Sequence, residues 1–359
     1  MGKDLIERIR EIEEEIRRTP YNKATQHHIG RLKAKLAKLK EELEARKSKR
    51  KSREGFAIKK MGDATVIFVG FPSVGKSTLI NKLTNVESKV GEYDFTTLEV
   101  IPGMLEYKGA KIQLLDLPGL IEGAASGRGR GREIISVVRS ADLIILMVDV
   151  FTYENIEIIK KELYKMGIRL DEEKPKVKIK KKDSGGIKIS STVKLTKIDK
   201  RTIKGILSEY KIHNAEVLIR EDITIDRFID ALARNRVYIP SITVVNKIDL
   251  LTEDKKFDNA LLISAKKEIN LDRLKDEIFE KLGFIRVYLR PQGGKADLDE
   301  PMILKKGSTI ENICRKLHKD FLRKFKYARV WGSSVKFPGQ RVGLGHEVKD
   351  GDIVTIVKG

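Results

Sequence analysis

Eight residues, Gly70-Phe71-Pro72-Ser73-Val74-Gly75-Lys76-Ser77, have the types and spacing to hold a phosphate chain. They form a GxxxxGKS run, continued by Thr78, between an apolar stretch (66–69) and a helical pattern, the strand–loop–helix setting that such a loop needs. Glycines let the backbone curl until its N–H groups face the phosphates, and the helix that follows adds the positive end of its dipole. The Lys76 ammonium has the reach of the terminal phosphates, and the Ser77 hydroxyl suits Mg²⁺. The ligand class that follows is a nucleoside polyphosphate. The loop alone does not choose the base.

That choice is made downstream. Asn246-Lys247-Ile248-Asp249 follows directly on a second buried-strand pattern, 242–245. A carboxylate at Asp249 accepts two hydrogen bonds from guanine, one from the ring imino group and one from the exocyclic amine. Adenine lacks that donor pair and leaves the carboxylate unpaired, which is costly. Asn246 can bridge from the base toward the phosphate loop, and the stem of Lys247 can cover the ring face. Ser264-Ala265-Lys266, after the strand pattern 260–263, can turn backbone N–H groups to the guanine carbonyl. Between the two lies Asp116-Leu117-Pro118-Gly119, ending the strand pattern 111–115. Asp116 is placed for the Mg²⁺ shell, and the Gly119 N–H for the γ-phosphate. Any one piece can be an ordinary strand end. In this order, each at the C-terminal end of an apolar strand, they lie where an open α/β sheet binds ligands, and they specify GTP or GDP.

Several elements must hold these pieces. Residues 76–83 read as the first helix, 100–107 and 111–115 as a hairpin turned at Gly109, and 154–165 as a helix behind the strand 143–148. A minimal domain of this kind reaches its NKxD soon afterwards. Here NKID waits until Asn246, so a segment is inserted. Within it, 174–182 alternates lysine with Pro, Val and Ile, strand-like with one basic face. A turn (183–186), a strand (187–193), a helix (199–210), a strand (216–219) and a helix (223–233) follow. The lysine face either suits RNA phosphate or guards a sheet edge against aggregation. Residues 270–282 read as the closing helix, and 285–289, 310–318 and 352–357 as strand, helix and strand of a last module, with Cys314 and Trp331 in its core. At the other end, Leu5, Ile9, Ile12 and Ile16, then Leu32, Leu36, Leu39 and Leu43, make two apolar stripes broken at Thr19-Pro20, a helical hairpin. The basic cluster 46–53 either grips phosphates or is a solvated helix end.

Composition bounds the setting. With 359 residues the chain exceeds one ordinary domain. Its longest apolar run, 143–148, falls far short of the ~18 residues of a spanning helix, and 35% charged residues exclude a membrane-embedded protein. The start of the chain leads straight into a charged helix without a visible signal peptide. A single cysteine rules out a disulfide framework or thiolate metal site, and the expected setting is reducing and cytoplasmic. Lys+Arg 73 against Asp+Glu 52, a net +21, favours a polyanion such as RNA as partner over the near-balance of a merely thermostable surface.

The run from Gly70 to Thr78, then Tyr93-Asp94-Phe95-Thr96-Thr97-Leu98, then Asp116-Leu117-Pro118-Gly119-Leu120-Ile121-Glu122-Gly123-Ala124, resemble the Obg-related GTPases. Gly127-Arg128-Gly129-Arg130-Gly131-Arg132-Glu133, Ile212-His213-Asn214-Ala215, 235–240 and Phe325-Lys326-Tyr327-Ala328-Arg329-Val330-Trp331-Gly332 are similar to the developmentally regulated GTP-binding proteins among them. The segment order after 285 and the closing 351–357 resemble a TGS domain. The fold class so implied is α/β: a P-loop GTPase domain (61–166 and 237–284) behind an N-terminal helical hairpin with a basic tail (1–60). A small ribosomal-protein-like α/β domain is inserted (167–236), and a β-grasp TGS domain closes the chain (285–359).

The resemblance further implies a monomeric, ribosome-associated GTPase acting in translation, a regulatory protein partner, and Mg²⁺ held by Ser77, Thr97 and Asp116. Thr97 is chosen over Thr96 only because the related pattern uses its second threonine. Phe95, Thr96 and Thr97 join the nucleotide site, with Lys76, Thr97 and Gly119 acting on the γ-phosphate. Leu120 stands where many small GTPases place a water-orienting glutamine, so slow turnover is expected. A partner, a polar switch residue such as Glu122, one of Arg128, Arg130 and Arg132, or K⁺ must supply what is missing; relatives that use K⁺ often carry Asn where this chain has Ser73. The competing reading is an RNA-binding module whose nucleotide site is a scaffold.

Overall fold

The computed structural model describes residues 2–49, 60–84, 101–117, 131–251 and 255–359. In chain order, α1 (Gly2–Arg18) and α2 (Gln26–Lys49) come first. They are followed by β1 (Ala64–Val69), α3 (Lys76–Leu83), β2 (Ile101–Tyr107), β3 (Ala110–Asp116), α4 (Gly131–Arg139), β4 (Leu143–Asp149) and α5 (Ile156–Lys165). Next stand β5 (Ile168–Leu170), β6 (Val177–Lys181), β7 (Ile187–Ser191), α6 (Lys200–Glu209), β8 (Ala215–Ile219), α7 (Ile225–Leu232) and β9 (Val237–Ile239). Then come β10 (Ser241–Asn246), β11 (Leu261–Leu262), α8 (Leu271–Lys281), β12 (Phe284–Leu289), β13 (Met302–Lys305), α9 (Ile310–Leu317), α10 (Lys319–Arg323), β14 (Phe325–Trp331), β15 (Gln340–Val342) and β16 (Asp352–Lys358). Among the described residues no helix is long and apolar enough to cross a membrane.

The chain packs as two compact units. One comprises the described residues of Met1–Gly55 with Gly167–Tyr238, the other those of Phe56–Met166 with Ile239–Gly359.

In the second unit a six-stranded sheet runs β11-β10-β4-β1-β3-β2, parallel except for the β2–β3 hairpin. β1 and β4 bury every residue, which is why their sequences are unbroken apolar runs instead of alternating ones. Each such Val, Ile or Leu contributes about 1.5–3 kcal/mol on burial. The last module is a five-stranded mixed sheet, β13-β12-β16-β14-β15, with α9 across one face. Ile285, Val287, Val330 and Val354 pack there against Ile313 and Cys314. Phe284 and Ile303 turn the other way and join the core of the first sheet. Trp331 is a correction to the expectation from sequence. It is half-buried on the face away from α9 and takes no part in the core, because its neighbours Val330 and Ala328 occupy the inward positions of β14.

In the first unit α6 and α7 cover a three-stranded sheet, β6-β8-β7. Ala34 of α2 enters the same core, so the helical hairpin and the insertion share one hydrophobic interior. The ends of the insertion are closed by the pairing of β5 with β9. Beside that pair, Asp230 accepts from the Arg169 guanidinium at 2.6 and 2.8 Å and from Arg236 Nε at 2.7 Å. Arg169 and Asp230 are 2% and 6% exposed, so removing one partner strands a buried charge. Asp230→Ala is expected to cost about 3–5 kcal/mol of this unit's stability, read as a lower urea midpoint. A midpoint equal to that of the unmodified chain refutes the buried-pair assignment.

Candidate functional site

The sheet order puts β1 between β3 and β4, so successive crossovers leave it in opposite directions and a crevice opens beyond its C-terminal end. The phosphate loop enters there at Gly70, where an added Cβ would lie 2.2 Å from the Met147 carbonyl oxygen. Gly75 has φ +95°, and a Cβ on it would meet Asn246 Nδ2 at 2.5 Å. Both positions require glycine. Gly75 also caps α3 without any side-chain acceptor, leaving the first-turn N–H groups directed at the loop. Ser73 takes the left-handed conformation, φ 64°. Phe71 is half-buried, Pro72 and Ser73 exposed, and Val74 buried.

Lys76 opens α3 with its side chain folded back across the loop, Nζ donating to the carbonyls of Gly70 and Phe71 at 3.0 Å each. Burial holds this ammonium below the usual lysine range, against the attraction of Asp116. Ser77 and Thr78 are exposed. The Ser77 hydroxyl donates to Asp116 Oδ2 at 2.8 Å. Asp116 is buried at the end of β3, and its other oxygen has no hydrogen-bond partner among the described residues. An orphaned carboxylate oxygen next to a hydroxyl is the hard, all-oxygen donor set that Mg²⁺ takes. The residues therefore fit the ion. Leu117 beside them is buried.

Asn246 ties the crevice together. Its Nδ2 donates to the Val74 carbonyl of the phosphate loop at 2.9 Å, and its Oδ1 accepts from the Ala265 N–H at 2.9 Å. Asp249 is exposed, with its carboxylate accepting from the Ser264 hydroxyl at 2.5 Å. Ser264 Oγ in turn accepts from the Lys267 N–H at 3.1 Å. Lys266 points to solvent, while Ser264 and Ala265 are buried.

Sequence reasoning missed Asp149. It lies opposite Asn246 in the β4–β10 pairing and holds Lys247 Nζ at 2.7 Å. Lys247 itself is left-handed, φ 64°. Burial acts to raise the Asp149 carboxyl, but hydrogen bonds from Lys247, Thr152 and the Phe151 N–H hold it below the usual range. The only signal was an aspartate closing an apolar run, and its register with Asn246 is invisible in sequence. Phe95, Thr96, Thr97, Pro118, Gly119, Leu120, Glu122, Arg128 and Arg130 lie outside the described residues, as does the side chain of Arg132.

A parallel sheet with a phosphate loop at its switch point, followed by a β-grasp module, is a P-loop GTPase domain joined to a TGS domain. The comparisons agree. Residues 65–182 match the family described as 50S ribosome-binding GTPase, 184–284 the C-terminal region of that domain, and 285–358 the TGS domain. An uncharacterized GTP-binding protein of Methanocaldococcus jannaschii is 62% identical over 98% of this chain and 92% of its own length. Developmentally-regulated G-protein 3 of Arabidopsis thaliana is 49% identical, and developmentally-regulated GTP-binding protein 2 of Homo sapiens 47%, each over 99% of both chains. The chain belongs to the family of developmentally regulated GTP-binding proteins.

Proposed function

We propose that this chain binds GTP and GDP with Mg²⁺, hydrolyses GTP slowly, and serves as a switch read out on the ribosome or its RNA. The observation that carries the reading is the Asn246 side chain, bonded at once to the phosphate loop and to the Ser264–Lys266 turn. Together with the Ser264 hydroxyl, which donates to Asp249, this bonding supports a shared site in which the phosphate loop and the Asp249 carboxylate serve one nucleotide.

Hydrolysis is in-line: a water oxygen bonds to the γ-phosphorus as the bond to the β–γ bridging oxygen breaks, and the water's protons pass to phosphate or solvent. The loop N–H groups and Lys76 fix the phosphates and meet the charge that grows on their oxygens. Ser77 and Asp116, with Thr97 in the reading by resemblance, would hold Mg²⁺, which would supply Lewis-acid neutralisation of the phosphate charge. Gly119 senses the γ-phosphate through its N–H. Asp249 and the turn at Ser264, Ala265 and Lys266 read guanine, and Lys247, pinned by Asp149, lies over the ring. Leucine at position 120 cannot hydrogen-bond the attacking water, so the chain alone turns over slowly and awaits a ribosomal, protein or K⁺ contribution.

The test is GTP hydrolysis in Na⁺ and in K⁺, each with and without ribosomal subunits. Slow turnover by the chain alone and faster turnover with subunits support the switch. Equal affinity of the GTP and GDP forms for subunits makes the nucleotide site a scaffold, and no binding heat with GDP in magnesium buffer ends the reading altogether.

A further inference from the structure

The face of the TGS sheet turned away from α9 carries aromatic rings and guanidinium groups in alternation. Pairing of β14 with β16 sets Tyr327, Arg329 and Trp331 opposite Val357, Thr355 and Ile353, and pairing of β12 with β16 sets Tyr288 opposite Ile353. Arg329 also lies opposite Arg341 of β15. All these side chains therefore share one face, since alternate residues of a strand point the same way. The Arg341 guanidinium stacks 4.6 Å from the centre of the Tyr327 ring, and that of Arg290 4.9 Å from the centre of Trp331. Arg290 is fixed further by donating to the Gly294 carbonyl at 2.9 Å.

Three features separate this face from an ordinary solvated sheet. Its rings are only half-buried and none of them belongs to a core cluster, while the opposite face is filled by Val287, Ala328, Val330 and Val354. Arg329 and Arg341 are exposed and stand directly opposite each other, an arrangement that repels unless an anion bridges it. The module is also basic, with sixteen Lys and Arg against eight Asp and Glu from Ile285 to Gly359.

We infer that this face is a stacking platform for single-stranded RNA, with bases on the Tyr327 and Trp331 rings and their guanidinium partners, and phosphates on Arg329 and Arg341. The inference rests on the RNA-associated reading proposed above and names its surface. Alternate residues of a strand lie about 6.8 Å apart, so Tyr327 and Trp331 stand about 13.6 Å apart with Arg329 midway between them, a spacing for two splayed bases with backbone phosphate at the arginine between. A duplex keeps its bases stacked on each other and offers such a surface only its backbone.

The experiment measures binding of the full chain to a short unstructured RNA strand, and to the same strand annealed to its complement, by fluorescence anisotropy at fixed salt. The unmodified chain is expected to prefer the single strand. Tyr327→Ala should weaken that binding roughly 5- to 100-fold, with Tyr327→Phe close to the unmodified chain. Arg341→Ala, an exposed substitution, should also weaken it and reduce its salt dependence. Single-strand binding untouched by both Tyr327→Ala and Arg341→Ala overturns the inference, and so does equal affinity for the duplex. Ribosome co-sedimentation of the same variants keeps the two readings apart: a chain that sediments with ribosomes while its single-strand binding ignores this face sinks the platform and leaves the switch standing.

Discussion

Asp249→Asn is expected to lower the affinity for GTP and GDP by roughly 100- to 1,000-fold. Each hydrogen bond from guanine to a carboxylate is worth about 1.5–3 kcal/mol. The amide keeps one acceptor without its charge and turns an NH₂ group toward the guanine amine, donor against donor. Xanthine carries an oxygen where guanine carries that amine, so the same variant should gain affinity for xanthosine di- and triphosphate. This exchange distinguishes a lost base contact from a damaged fold. Asp249 is exposed, and its partner within the chain is the Ser264 hydroxyl, which can still donate to an amide oxygen. The measurement is titration with fluorescent guanosine and xanthosine diphosphates. Unchanged preference for guanine would remove the basis for assigning the base.

The parts of this site that were readable from sequence are those in which chemistry depends on contiguous residues. In the proposed reading Gly70 to Ser77 are adjacent because one loop is to wrap one phosphate chain, and Asn246 to Asp249 because one turn is to face one base. The β1 and β4 strands were equally plain, since burial on both faces demands unbroken apolar runs. What stayed hidden is pairing across the chain. Asp149 meets Lys247 only through strand register. Ala34 joins a core made mostly of residues beyond 198, and a heptad stripe does not name the surface it will cover. Trp331 misled for a related reason. An isolated tryptophan in an apolar strand suggests a core residue, whereas the alternation along β14 turns it outward, where an arginine stacks on it.

Lys76→Ala should abolish most turnover, lowering the hydrolysis rate by at least roughly 10²- to 10³-fold, the cost of losing a single donor aimed at transition-state charge. A lysine adds full positive charge to that role. Its present partners are the loop's own carbonyls, which an incoming phosphate chain outcompetes because it carries charge. The pH dependence of binding identifies the group. In the free chain burial depresses the Lys76 ammonium below 10.5, with Asp116 opposing; a triphosphate beside it raises it again. Affinity is therefore full below the free-state value and declines as pH climbs through it, because the neutral amine must then take up a proton on binding. In Lys76→Ala this alkaline decline should disappear, together with the preference for GTP over GMP. An alanine variant that keeps both the decline and the preference would move the phosphate-binding cation elsewhere.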